Sequence, residues 1–170
     1  MIPGGKRETS VPSLAGDEVP PAAADLALSD EQADAIARIL GAPGGGASPG
    51  LYYVHGITGS GKTEVFLQAA ERTIEEGRSV IYLVPEIALT HQLLETVAHR
   101  FHGRVAVLHS RLTPSQRLTE WRRIRRGDAR LVVGARSAIF APVPDLGLVV
   151  LDEEHDGSYK SGSSPRYHAR

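Results

Sequence analysis

From Leu51 onward, short apolar runs alternate with stretches whose apolar residues recur at helical spacing. The runs LYYVH (51–55), VIYLV (80–84), RVAVL (104–108), RLVVG (130–134) and LGLVVLD (146–152) predict five strands. Their apolar character is continuous rather than alternating, which predicts strands buried on both faces, as in a parallel sheet. Helices are predicted at about 62–76, 86–101 and 114–126. Thr113 and Gln116 around Pro114 form a capping box with proline at the first helical position. A shorter helix is predicted over Ser29–Leu40, with Ala33, Ile36, Ala37 and Leu40 apolar, Ser29 as its cap and Gly41 as its stop. Strands alternating with helices imply βαβ units and a three-layer α/β domain. Residues 1–27, rich in Pro, Ala, Gly and charge, read as a linker or tail, and GAPGGGASPG (41–50) as a flexible loop. From Gly157 the chain turns polar and reaches Arg170 without a closing element, so a segment of something longer is expected.

Composition narrows this picture only a little. The 170 residues suffice for one domain with a real core. A formal net charge of −1 sets up no global positive field, so any nucleic-acid site must be local. The absence of cysteine excludes disulfides and thiolate zinc sites in this segment and is compatible with the cytosol. No apolar run approaches the roughly 18 residues of a membrane span, and the N-terminus lacks the apolar core of a signal peptide. A soluble, cytoplasmic protein without membrane partners is expected.

Chemistry enters at Gly56-Ile57-Thr58-Gly59-Ser60-Gly61-Lys62-Thr63, a full match to the P-loop pattern, lying after a predicted strand and opening a predicted helix. A triphosphate needs closely spaced donors. Glycines let successive backbone N–H groups turn inward, and the helix N-terminus adds its dipole. Lys62 is expected on the β- and γ-phosphates and the Thr63 hydroxyl on Mg²⁺. The bland alternative, a glycine-rich turn before a helix, seldom produces a match of this length. The second half of such a site is an apolar strand ending in acids. Leu148-Val149-Val150-Leu151 runs into Asp152-Glu153-Glu154-His155. Asp152 is expected to hold Mg²⁺, directly or through water, and Glu153 to orient or deprotonate the attacking water. Parallel strands end together, which should bring this tip beside the P-loop. Alone it would equally be an acidic turn. His155 is a surface histidine or a coupling residue, with no second histidine at metal-site spacing near it.

Asp-Glu-Glu-His is the DExH form of helicase motif II. Val84-Pro85-Glu86-Ile87-Ala88-Leu89-Thr90, Leu108-His109-Ser110 followed by Trp121, Gly134-Ala135-Arg136-Ser137-Ala138-Ile139-Phe140-Ala141-Pro142, and the run through Ser158-Tyr159-Lys160 to Arg166-Tyr167-His168-Ala169-Arg170 extend the likeness in unbroken order over about residues 28–170. With these motifs the chain resembles the primosomal protein N′ (PriA) family of superfamily 2 DNA helicases. The resemblance implies a three-layer P-loop NTPase fold, a RecA-like helicase lobe with a mostly parallel sheet. This lobe would occupy residues 28–170, incomplete and without its second lobe. It implies an ATP-driven 3′ to 5′ motor that restarts stalled replication forks. Single-stranded and forked DNA, the primosome and single-strand-binding proteins would be partners, and ATP and Mg²⁺ cofactors. Zinc would belong only to a downstream part of the family. Gln32 falls where the family reads adenine, although Ser29 and Gln32 also form a capping box. Arg136 and Ser137 would face the DNA backbone, with Ala135 where many relatives carry Thr. The loop from Ser158 to Tyr167 resembles an aromatic-rich sensor of single strands, with Tyr159, Lys160, Arg166 and Tyr167 as candidate contacts and Pro165 where some relatives have Trp. The alternative there is a solvated loop. Arg122-Arg123-Ile124-Arg125-Arg126 is read as a solvated helix face before a DNA patch, because four arginines on a short helix cannot all face one way.

Two other classes fit parts of the pattern. One is a nucleotide- and DNA-binding scaffold module without unwinding activity, against which intact Lys62, Thr63, Asp152 and Glu153 argue. The other is a P-loop small-molecule kinase, which should carry a lid and an acceptor pocket. Lacking the second lobe, the segment alone is expected to bind nucleotide weakly and turn it over poorly.

Overall fold

A computed structural model of the chain describes residues 28–41, 50–57, 59–160 and 166–169. The expected tail at 1–27, most of the 41–50 loop, Thr58 and residues 161–165 lie outside the described residues. Four α-helices are α1 (Asp30–Leu40), α2 (Lys62–Glu75), α3 (His91–Arg100) and α4 (Pro114–Arg126). Four strands, β1 (Ser79–Leu83), β2 (Val105–Leu108), β3 (Leu131–Gly134) and β4 (Leu146–Leu151), form one sheet in the order β2-β3-β1-β4, every pairing parallel.

The strand period of two divides the core. Val80, Tyr82 and Val84 of the β1 segment pack with Leu67, Ala70 and Ile74 of α2 and Val97 of α3 on one face. Ile81 and Leu83 pack on the other face with Ile124 of α4, Ala138 and Tyr159. Helices therefore cover both faces, giving the expected three layers. β1 and β3 are buried at every position, as continuous apolar runs should be. In β4, by contrast, Leu146 and Val149 are exposed, because its outer edge carries no strand among the described residues.

The strand expected at 51–55 is the main correction. Residues 51–57 join no ladder, and Leu51, Tyr52 and Tyr53 are exposed. An apolar run states a preference for burial, but a strand exists only where a neighbouring edge takes its hydrogen bonds. A second correction concerns the helix expected from residue 86. Glu86–Ala88 form a 3₁₀ turn, and α3 starts only after Thr90, whose side chain accepts from the Leu93 N–H. Both sequence-predicted capping boxes form, Ser29 with Gln32 and Thr113 with Gln116.

Gly134 marks a close approach. A Cβ there would collide with the Leu108 carbonyl and with Ala138, so only glycine lets the 3₁₀ turn at Arg136–Phe140 fold back against the sheet. α3 is fixed to α2 by charge as well as by packing. Arg100 donates to both Glu64 carboxylate oxygens at 2.9 Å and to Glu71 at 3.0 and 3.2 Å, with the Arg100 and Glu64 side chains each 19 % exposed. Replacing Arg100 with Met should leave two half-buried carboxylates facing each other. It should lower unfolding free energy in urea by about 1–3 kcal/mol. An unchanged midpoint would mean that the network is solvated decoration.

Candidate nucleotide-binding site

The P-loop turns into α2 through two glycines in the left-handed region, Gly59 (φ 82°) and Gly61 (φ 79°). The other three α-helices carry side-chain caps from Ser29, Thr90 and Thr113, whereas α2 has none. Its first N–H groups therefore meet no capping hydroxyl, an arrangement that suits an anion. The Lys62 ammonium folds back over the loop and donates to the Gly56 carbonyl at 2.7 Å and the Ile57 carbonyl at 3.0 Å. These are bonds that an anion's oxygens could replace.

The Gln32 amide makes two contacts within the protein. Its Oε1 accepts from the Ser29 N–H at 3.0 Å in the capping box, and its Nε2 donates to the Ser60 carbonyl at 3.1 Å. A Cβ on Gly61 would strike that amide, so the glycine also makes room for α1 to touch the loop. The cap and a position beside the P-loop are compatible in one residue.

Asp152 reaches the same end of the sheet by register. Leu83 pairs with Leu151, and the Asp152 N–H donates to the Leu83 carbonyl at 2.9 Å. Val150 faces the α2 side, so Asp152, two residues on, does too. There the Tyr82 hydroxyl donates to Asp152 Oδ2 at 2.7 Å, and Oδ1 accepts from the Glu153 N–H at 2.9 Å. Thr63, exposed at the start of α2, belongs to the helix packed on this same face. Burial, and then the Asp152 charge, push the Tyr82 phenol far above its usual range, so it remains a donor. Among the described residues no Lys, Arg or His forms a salt bridge with Asp152. A half-buried carboxylate that is hydrogen-bonded but unmatched by a protein cation suits a hard divalent metal ion. Glu153 is exposed, adopts a left-handed backbone (φ 49°) and lies 3.4 Å from His155. A non-glycine residue in that region stores about 1–2 kcal/mol, at the point where the strand hands over to the acidic turn.

The expected DNA contacts divide. Ser137, Lys160 and Arg166 are exposed, and Tyr167 is half-buried. Tyr159 is fully buried, which overturns its expected stacking role. Its hydroxyl lies 2.6 Å from the Asp152 carbonyl and 3.1 Å from the Leu83 carbonyl, locking the acidic turn to β1 from below. Burial, followed by the charges of Asp152, Asp156 and Glu153, raises its pKa well above the usual phenol range. Arg136 is half-buried rather than offered to solvent. It donates to the Ser158 and Lys160 carbonyls at 3.0 and 2.6 Å and lies over the Tyr167 ring, 5.2 Å from its centroid. Tyr167 in turn meets Phe140 edge-on at 5.0 Å. The arginine run behaves as a helix face: Arg122, Arg125 and Arg126 are exposed, Ile124 is buried, and Arg123 pairs with Glu120.

Sequence reasoning missed Tyr82. The available signal was a tyrosine at the centre of a wholly apolar strand, where a buried hydroxyl must find a partner. It also missed the bond from the Ser110 hydroxyl to Glu86, which ties the turn after β1 to the loop after β2.

An α/β sheet with a glycine-rich loop opening an uncapped helix, and an acidic strand end beside it, defines a P-loop nucleotide-binding protein. The DEAD/DEAH box helicase family matches residues 29–169, and the chain belongs to that family. Its relatives include the replication restart protein PriA of Treponema pallidum, 56 % identical over the whole chain and 25 % of that protein. The PriA proteins of Bacillus subtilis and Haemophilus influenzae are 52 and 46 % identical over 71 and 85 % of the chain, and over 15 and 19 % of their own lengths. The chain thus spans about a quarter or less of these curated relatives.

The burial of Tyr159 has a direct check. Nitration with tetranitromethane, read by mass spectrometry, should spare Tyr159 with or without single-stranded DNA. Labelling of Tyr159 at the rate of an exposed tyrosine, with protection by DNA, would restore the stacking role.

Proposed function

We propose that this chain is the ATP-binding motor lobe of a replication-restart DNA helicase, one that couples ATP hydrolysis to 3′ to 5′ movement along single-stranded DNA in the cytoplasm. The observation that carries this reading is the hydrogen bond from Tyr82 to Asp152, which sets the acidic turn on the face of the sheet covered by α2, the helix that the loop at 56–63 opens. That convergence supports a single site built from the loop at 56–63 and the acidic turn at 152–153. The names of the relatives supply the replication-restart setting, and to it this reading adds forked DNA, the primosome and single-strand-binding proteins as partners.

In this reading Lys62 leaves the Gly56 and Ile57 carbonyls and moves onto the β- and γ-phosphates of ATP. The backbone N–H groups of the loop and of the first turn of α2 bind phosphate oxygens. Thr63 and Asp152 hold Mg²⁺, which offsets charge on the triphosphate. Glu153, exposed at the lip of the site, takes the proton of the attacking water. Gln32, held against Ser60 by its own amide, reads the adenine edge from beside the loop. Ser137, Lys160 and Arg166 offer exposed polar and cationic groups to the strand, while Arg136 acts by holding the segment that carries Lys160.

In the full-length protein, Lys62→Ala should cut DNA-stimulated ATP hydrolysis by at least about a hundredfold while fork binding survives. Loss of both together would show that the site is misassigned. Glu153→Gln should retain bound ATP and lose about 10²–10⁴ in turnover. Normal hydrolysis by that variant would remove Glu153 from the chemistry.

A further inference from the structure

We infer that Tyr82 is a positioning residue for the divalent cation of this site, setting through its hydroxyl the orientation of the Asp152 carboxylate. The inference rests on the nucleotide-site reading above and extends it to a residue outside the P-loop and the acidic turn. Tyr82 sits at the centre of β1, 1 % exposed, with Val80 and Val84 on the same face and the Phe66 ring of α2 tilted against it at 6.3 Å. Nothing in that apolar layer requires a hydroxyl, and phenylalanine would fill the same volume. The hydroxyl instead points to the end of the sheet, where it donates to Asp152 Oδ2 at 2.7 Å.

The geometry restrains the carboxylate at both oxygens. Oδ2 is held by Tyr82, and Oδ1 by the Glu153 N–H at 2.9 Å. Each carboxylate oxygen accepts more than one partner, so a fixed plane still leaves lone pairs for a cation. Tyr82 therefore holds the carboxylate on the side of the sheet covered by α2, whose first turn carries Thr63, the second group assigned to the metal. Outer-layer donors of this kind raise metal affinity by pre-orienting the ligand, and their removal costs about 10–100-fold in affinity or activity. The register makes the contact possible. Tyr82 pairs with Val150, and Asp152 is the next residue on that face of β4.

Tyr159 supplies the comparison. It too is a buried tyrosine bonded to Asp152, but through the main-chain carbonyl, so its hydroxyl fixes the turn and not the carboxylate. Tyr82→Phe and Tyr159→Phe should be compared with the parent in the full-length protein. The readouts are the Mg²⁺ dependence of DNA-stimulated ATPase activity, binding of a fluorescent ATP analogue in EDTA, and thermal unfolding. Tyr82→Phe should raise the Mg²⁺ concentration for half-maximal activity about tenfold, with nucleotide binding in EDTA unchanged. Tyr159→Phe should leave the Mg²⁺ requirement alone and act on unfolding. An unaltered Mg²⁺ requirement in Tyr82→Phe, or an equal shift in both variants, would reduce Tyr82 to packing. Absence of any Mg²⁺-dependent hydrolysis in the parent would instead bring down the nucleotide-site reading itself.

Discussion

The structure depends on the parallel ladder between β1 and β4. Neither strand carries the P-loop, yet their register decides whether a site exists. Pairing Leu83 with Leu151 sets Asp152 one residue beyond the sheet, and the Asp152 N–H to Leu83 carbonyl bond extends the ladder to it. Side-chain alternation then sends Asp152 to the face covered by α2. A slip of one residue would turn the carboxylate to the opposite face, among Ile81, Leu83 and Tyr159, far from the helix that the P-loop opens. The place of Asp152 follows from that one choice of register.

Much of this was legible in the sequence, because the deciding signals are local. Continuous apolar runs gave β1 and β3 their burial, and Ser29-Gln32 and Thr113-Gln116 announced helix starts that the structure keeps. The P-loop pattern and the acidic strand end are also contiguous words. What could not be read is what depends on partners distant in sequence. LYYVH has the composition of a strand, but no described edge pairs with it. Val149 has the composition of a core residue and is exposed, because β4 is an edge. Tyr159 looks like a stacking residue in a polar loop, and only the fold shows that its ring is swallowed by the layer holding Ile124 and Ala138.

The two buried tyrosines alter the view of the region after the acidic turn. Tyr159 joins the Asp152 main chain to the 3₁₀ turn at Gly157–Tyr159, and Arg136 clamps that same segment through the Ser158 and Lys160 carbonyls. Tyr167 and Phe140 close over the arginine. Three of the residues expected to touch DNA, Arg136, Tyr159 and Tyr167, instead pack into the region leading from the carboxylate end of β4. Packed chains of side chains can carry coupling between two sites when both bias the same two-state element. Ser137, Lys160 and Arg166 remain exposed beside this region in sequence.

The most direct measurement is the anomalous scattering of Mn²⁺ in crystals of the full-length protein grown with a non-hydrolysable ATP analogue. The metal peak is expected between the Thr63 hydroxyl and the Asp152 carboxylate, with the triphosphate along the loop at 56–63. A nucleotide bound there with its metal away from Asp152, or bound elsewhere on the molecule, would contradict the account.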